Sequence, residues 1–378
     1  MPEAGRRSLA GRPAHTTTPE DSMATDLDLL RDLCAAPAPT GFEAPVQDLA
    51  RRRLAALSEP QGDPLGNVWG TVAGKGVPSV VVTAHADQIG LIVTYVDEHG
   101  FVSFDKIGGV DPQLLPGRNL VVHGVEGPVN GVVGRKPSHK MTKDERAKAP
   151  ELSDQWLDLG CSTREEALAL VQVGDPITFP ASFLPLAGGR YASPAFDNRA
   201  GVYVCLRALE HYAQSPAAAD LTALLTVHEE TTFMGAKAMA IRWQPDVIVV
   251  VDVDFASDDP GIDAKKLGGE VKLGAGPVIH RGAAGNLALT DLAIRIARDE
   301  GIPVQVKAMP GNTSTDAEEL MAAGSAATLS FSIPVRNMHS AFEVMQPDDA
   351  EAGALLAAAV ARRVAEGGWD AARFVPRV

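Results

Sequence analysis

The sequence predicts an α/β fold: a mostly parallel sheet flanked by helices, with a small β domain inserted into it. Three observations carry this. Four apolar, β-branched runs read as strands buried on both faces: SVVVTAHA (79–86), LTALLTVH (221–228), DVIVVVDV (246–253) and AATLSFSIP (326–334). Helical text separates them, the pattern of βαβ units. Between about Leu91 and Phe179 the text changes to short alternating segments with turn signals such as EHG and EGP.

In chain order, residues 1–25 are expected to form a disordered Pro/Gly/Thr-rich tail, with Met23 as an alternative start. DLDLLRDLCAA (26–36) predicts an amphipathic helix with an Asp or Thr cap, and EAPVQDLARRRLAAL (43–57) a second. The first buried strand follows. The segment 91–184 is then expected as the inserted β domain, its first helical text being TREEALALV. The α/β domain would thus be discontinuous, 26–90 plus 185–378. Helices are predicted at 197–213, 235–243, 291–301, 316–324 and 348–368.

The chain has 378 residues, of which 45% are hydrophobic, enough for a large core. Its 34 basic and 48 acidic residues leave a formal charge of −14, which argues against nucleic-acid or anionic-membrane partners and is compatible with binding metal cations. No apolar run reaches the roughly 18 residues of a membrane span, and the N-terminus has no secretory h-region. Cys34, Cys161 and Cys205 are far apart, without CxxC spacing, and read as free thiols filling core or helix positions. A cytoplasmic location is expected.

The buried runs end alike. The first ends in His85 and Asp87, the second in Glu229 and Glu230, and the third in Asp252 and Asp254. The fourth is followed by His339, and Asp197 opens a helix. Taken singly, each has an ordinary reading: His85 as a hydrogen-bonded core histidine, Asp197 as a helix cap, Asp252 as a turn residue, and Glu229–Glu230 as a solvated loop. Taken together, they lie where open α/β sheets bind ligands, beyond the carboxyl ends of the strands. Several carboxylates without basic partners would repel one another, and a bound cation removes the conflict. Two imidazoles with three or four carboxylates suit Zn²⁺, Co²⁺ or Mn²⁺ rather than Mg²⁺ or Ca²⁺. Five ligands exceed the three usual for one open zinc, so two metals sharing a carboxylate fit better.

In order, the motifs AHADQIG, GRKPSHK, FDNRAG, HEETTFMGA, VVDVDFASD, TSTDAEEL and IPVRNMHSAFE resemble those of the glutamyl-aminopeptidase or tetrahedral aminopeptidase family, across about Asp26 to Glu366. These are dinuclear metallo-exopeptidases, and the family includes deblocking aminopeptidases and cellulase-annotated members. The resemblance implies a zinc-exopeptidase-like α/β domain with a β-barrel-like insert that serves oligomerisation, into dimers and dodecamers. It implies that His85 and Asp252 bind one divalent metal, Glu230 and His339 the other, and that Asp197 bridges them. It also implies that Asp87 orients His85, and that Glu229 is the general base for a water activated between the metals. The implied reaction is removal of N-terminal residues from short peptides, with Zn²⁺ first among the metals.

This chain departs from the family pattern beside those positions. Gln88 replaces a glutamate, Thr231, Thr232, Phe233, Met234 and Gly235 replace a Val-Gly-Leu-Arg-Gly run, Asn337 stands for an aromatic, and Ser314 for a glycine. These changes make a glutamyl preference doubtful, and Arg199 and Arg336 are the candidate cations for an acidic side chain. They also motivate an alternative, a deacylase or amidase for N-blocked dipeptides or small amides. A non-enzymatic metal-binding shell is countered by the retention of Glu229, which is not needed as a ligand. Polysaccharide hydrolysis needs paired acids but no histidines, and 5% aromatic residues offer few sugar-stacking surfaces.

Overall fold

A computed structural model describes residues 24–375 except Ala323 and Ser325. Met23 and nearly all of the expected tail lie outside the described residues. Its last residue, Thr25, is described and donates a hydrogen bond from its hydroxyl to Asp348 (2.7 Å).

The main sheet has eight strands in the order Gln61–Gly62, Val68–Val72, Asp220–Thr226, Ser79–His85, Val247–Phe255, Ala327–Val335, Val278–Gly282 and Gln305–Met309. Its four central strands are the four apolar runs, all parallel. They are buried along almost their whole length, and mostly apolar, because helices cover both faces. On one face, the helices Phe196–Gln214, Leu287–Glu300 and Pro347–Val364 close over the largest core. Pro347–Val364 comes so close that a Cβ at Gly353 would lie 3.2 Å from both Ile333 and Phe331, so only glycine fits there without a shift. On the other face, Ala236 and Ala240 of Met234–Arg242 pack with Ala317 and Leu320 of Asp316–Ala322 over Ile248 and Val250.

Towards the edges the direction reverses, with Val68–Val72 antiparallel to Asp220–Thr226 and Val278–Gly282 antiparallel to Ala327–Val335, and the outermost Gln305–Met309 runs parallel to Val278–Gly282. These edges were not among the predicted strands. Val68–Val72 alternates in burial around Gly70, and Gln305–Met309 is half exposed. Neither has the continuous apolar signature of a central strand.

The inserted segment closes into a six-stranded antiparallel barrel, in the order Gly90–Val96, Phe101–Ile107, Gln155–Asp158, Gly127–Arg135, Asn119–Gly124 and Pro176–Thr178. It has its own core, which includes Val93, Val102, Leu120, Leu157 and Ile177. The helix expected in TREEALALV is short, Arg164–Leu168, and is capped by Thr163. Leu184–Pro185 already belongs to a small three-stranded sheet with Tyr191–Ser193 and Glu343–Met345, on the return to the α/β body. Among the described residues, no helix is long and apolar enough to cross a membrane. Cys34 and Cys205 are buried and Cys161 partly so, all three as free thiols. Burial pushes the Cys34 thiol up to about 12, which suits a packing role rather than a nucleophile.

One buried polar network locks two of the helices together. Glu351 accepts hydrogen bonds from Tyr203 Oη (2.5 Å) and from Arg207 Nε (3.1 Å) and Nη2 (2.8 Å), and lies 2.7 Å from His211 Nε2. Burial alone would raise its pKa. The hydrogen bonds from His211, Arg207 and Tyr203 outweigh it and hold the carboxyl at about 2 instead of 4.5. A carboxyl depressed in the folded state contributes stability above its unfolded pKa and loses it as pH falls towards the folded one. The network is therefore worth about 3 kcal/mol near neutrality, fading below about pH 5. Glu351→Gln should lower the free energy of unfolding in urea at pH 7 by about that amount, and the gap to wild type should narrow towards pH 3. A gap independent of pH would contradict this electrostatic account.

Candidate metal centre

Because the central strands are parallel, their carboxyl ends share one edge, and the pairing of Thr226 with His85 sets two of those ends level. Asp252 lies near the end of Val247–Phe255. Asp197 opens Phe196–Gln214, where it and Asn198 depart from helical φ/ψ. Asn198 ties this start to the sheet: its Nδ2 donates to Val251 O (3.0 Å) and its Oδ1 accepts from Gly201 N (2.8 Å).

The structure brings the candidate residues together. His85 Nε2 lies 3.2 Å from Asp197 Oδ1, 3.6 Å from Asp252 Oδ1 and 3.8 Å from Glu229 Oε2. His339 Nε2 lies 3.2 Å from Asp197 Oδ2 and 3.6 Å from Glu230 Oε2. Asp197 thus presents one oxygen to each imidazole. Two triads suit a cation, His85–Glu229–Asp252 and Asp197–Glu230–His339, with the ligand atoms of each within 4.8 Å of one another. Glu229 is therefore as close to one triad as a ligand would be, although the family resemblance implies a base there.

Two buried acids brace the cluster. Asp87 lies 3.5 Å from His85 Nδ1, accepts from Thr40 Oγ1 (2.7 Å), and accepts from the backbone N–H groups of Glu229 (3.0 Å) and Glu230 (3.1 Å). Asp87 thereby steadies the imidazole, whose Nδ1 also lies 3.2 Å from the Asp87 backbone oxygen, and its carboxylate fixes the start of the Glu229–Thr232 turn. Glu343 does the same on the far side, accepting from Asp197 N and His339 N, both at 2.8 Å. Sequence reasoning gave Glu343 no role. The only available signal was an acid within AFEVM, text that otherwise reads as a short strand. Asp254 does not join the cluster but is ion-paired with Lys307 Nζ (2.7 Å).

The electrostatics suit a cation. Burial, reinforced by Asp252, Asp316 and Asp197, pushes Glu229 up to about 10 against the opposing charge of His85. Burial and Asp197 push Glu230 up to about 8. Burial raises Asp252 as well. Asp197 goes the other way, since its contacts with His339 and His85 outweigh burial. The hydrogen bond to Asp197, against some desolvation, lifts His339 to about 9. A divalent cation among these groups would oppose the causes that raise the carboxyls. Glu230 Oε1 is buried with no hydrogen-bond partner, an orphaned acceptor facing this need directly. The donor set and this orphan fit divalent metal ions.

Beside the cluster a cleft of about 440 Å³ opens, lined also by Thr231, Phe233, Phe255, Met338 and Thr313–Thr315. The two candidate cations do not line it. Arg199 is fully buried, donating to Ala86 O, to Ala36 O (3.1 Å) and to Gln88 Oε1 (2.6 Å). Arg336 pairs with Asp258 (2.6 and 2.9 Å).

An acid–imidazole cluster at the carboxyl edge of a parallel sheet, two imidazoles flanking one carboxylate, is the arrangement expected of a metal-dependent hydrolase of the α/β type. A family model described as M42 glutamyl aminopeptidase matches residues 66–356. The chain is 32% identical over 332 residues to the lysyl aminopeptidase of Pyrococcus furiosus, covering 86% of this chain and 94% of that one. The crystal structure of a TET aminopeptidase from a marine-sediment Thaumarchaeota archaeon superposes with TM-score 0.83 at 30% identity, covering 89% of this chain and 97% of the other. The Pyrococcus horikoshii TET1 peptidase superposes with TM-score 0.79 at 28% identity, covering 89% and 98%. The chain belongs to the M42 glutamyl aminopeptidase family. It is a metal-dependent aminopeptidase, and these relatives do not favour the amidase alternative.

Proposed function

We propose that the cluster holds two divalent ions, Zn²⁺ first with Co²⁺ and Mn²⁺ as alternatives, and that Glu229 is the general base in releasing N-terminal residues from short peptides. The observation that supports this most is the placement of Asp197, each oxygen 3.2 Å from a different imidazole. His85 and Asp252 would hold one ion, Glu230 and His339 the other, and Asp197 would be shared. What two such ions supply when bound is Lewis acidity, directed at a water molecule and a carbonyl oxygen.

The chain's own residues do the rest. Asp87 holds His85 in one orientation, and through the Glu229 and Glu230 amides it fixes where both carboxylates point. Glu229 takes a proton from the attacking water and returns it to the departing amine. An aminopeptidase acts on a peptide whose α-amino group is free. Peptides with a free N-terminus should therefore be cleaved at least a hundredfold faster than their N-acetylated counterparts in a mass-spectrometric assay with Zn²⁺ or Co²⁺ added. Comparable rates on both forms would sink the aminopeptidase reading and revive the amidase one.

We also propose that the segment 91–184 serves self-association, through dimers to dodecamers. The Pyrococcus horikoshii peptidase is described as able to assemble into a tetrahedron or a large octahedral shell. Val125, Val132, Leu168, Leu170 and Val173 of this segment are exposed apolar side chains that an interface would cover. A monomer by light scattering at micromolar concentration would contradict this. With three free thiols, we assign the chain to a reducing compartment, the cytoplasm.

A further inference from the structure

We propose that the buried Lys307–Asp254 ion pair sets the charge preference of the cleft, so that the enzyme favours peptides whose N-terminal side chain is uncharged. This rests on the aminopeptidase reading above.

Asp254 lies two residues beyond Asp252 on the same strand and lines the cleft beside the metal cluster. Alone, it would be the natural partner for a lysine or arginine side chain of the substrate. Lys307 already occupies it, donating to both carboxylate oxygens at 3.0 and 2.7 Å. His280 Nε2 approaches the same carboxylate at 3.4 Å. The Lys307 and Asp254 side chains are only 8% and 11% exposed, so water screens the pair little.

The rest of the wall offers no charge. Phe233, Phe255 and Met338 are apolar, and Thr231 and Thr313–Thr315 are neutral hydroxyl residues. Among the described residues, no lysine or arginine lines the cleft. The nearby cations are engaged. Lys237 donates to Thr232 O (2.8 Å) and lies 3.5 Å from Glu319, and Arg336 is held by Asp258. A glutamate side chain entering this space would find no cation. A lysine side chain would find the one carboxylate outside the metal cluster already neutralised. Either would lose hydration without compensation, whereas an aliphatic or aromatic side chain would lose only contact with water. The matching family model is described as glutamyl and one relative as lysyl, so charge preference differs among similar chains and must be set by residues outside the metal cluster.

The test is kcat/KM on tripeptides Xaa-Ala-Ala, with Xaa as Leu, Met, Phe, Glu or Lys, under one metal condition. For the wild type we expect Leu or Met to exceed both Glu and Lys at least tenfold. Lys307→Met frees Asp254 and should raise the Lys-to-Leu ratio at least tenfold. The double variant Lys307→Met/Asp254→Asn, neutral at both positions, should return that ratio to the wild-type value. Should Lys307→Met not fold, Asp254→Asn leaves Lys307 unpaired and should raise the Glu-to-Leu ratio at least tenfold, and a ratio unmoved there removes the assignment equally. A wild-type panel led by Glu or Lys overturns the inference and leaves the aminopeptidase reading standing. A Lys-to-Leu ratio unmoved in folded Lys307→Met removes the assignment to this ion pair. Release of no residue from any tripeptide overturns both.

Discussion

Replacing Glu229 by glutamine is expected to lower kcat by a factor of a thousand or more while leaving the bound metal unchanged. A general base contributes about 10²–10⁴ in rate, and glutamine keeps the shape of the side chain without its proton-accepting charge. The Glu229 backbone is fixed by its N–H bond to Asp87 (3.0 Å), which the substitution leaves in place. The alternative is that Glu229 is a ligand, since its carboxylate completes a triad with His85 and Asp252. The two readings separate in one preparation. Lost turnover with full metal content identifies the base, and lost turnover with lost metal identifies a ligand. Turnover near the wild-type rate would remove Glu229 from the chemistry altogether.

Replacing Asp197 by alanine is expected to have a comparable effect by another route. Among the described residues, Asp197 is the one carboxylate in contact with both imidazoles, so its loss weakens both proposed metal positions together. Removal of His85 or His339 alone would weaken one. Asp197→Ala should therefore bind at most half the metal of the wild type in elemental analysis after gel filtration. Activity should fall at least a thousandfold at limiting metal. The backbone of the site should survive, because Glu343 anchors this corner through main-chain N–H groups that alanine retains. Full metal content in Asp197→Ala would mean that the carboxylate is not shared.

The parts of the fold legible in the sequence are those where physics leaves little choice. A strand buried on both faces must be apolar where it crosses the core, as Val247–Val251 is before the strand reaches Asp252. A sudden change from apolar to acidic text is then conspicuous, and parallel topology turns four such changes into one locus. The edge strands were not legible, because exposure relaxes the pattern. Gln305–Met309 carries Lys307 in its middle, and this lysine is tolerated only because Asp254, 53 residues away in sequence, receives it.

The same limit hid the braces. Glu343 works by accepting from the N–H of Asp197, a contact across 146 residues that no local pattern encodes. Arg199, a candidate cation on the sequence alone, does not reach the cleft, because its guanidinium turns into the core. There the carbonyls of Ala86 and Ala36 and the side chain of Gln88 satisfy it. Gln88, one of the departures from the family pattern, thereby belongs to the support beneath His85 and Asp87 rather than to the cleft wall. The departures that do line the cleft are Thr231, Phe233 and Ser314.

The central claim is a two-metal site shared through Asp197. Anomalous diffraction from crystals of the wild-type protein grown with Zn²⁺ tests it most directly. Two peaks per subunit are expected, one towards His85 and Asp252 and the other towards His339 and Glu230, with the Asp197 carboxylate between them. A single peak, or two peaks without contact to Asp197, would contradict it.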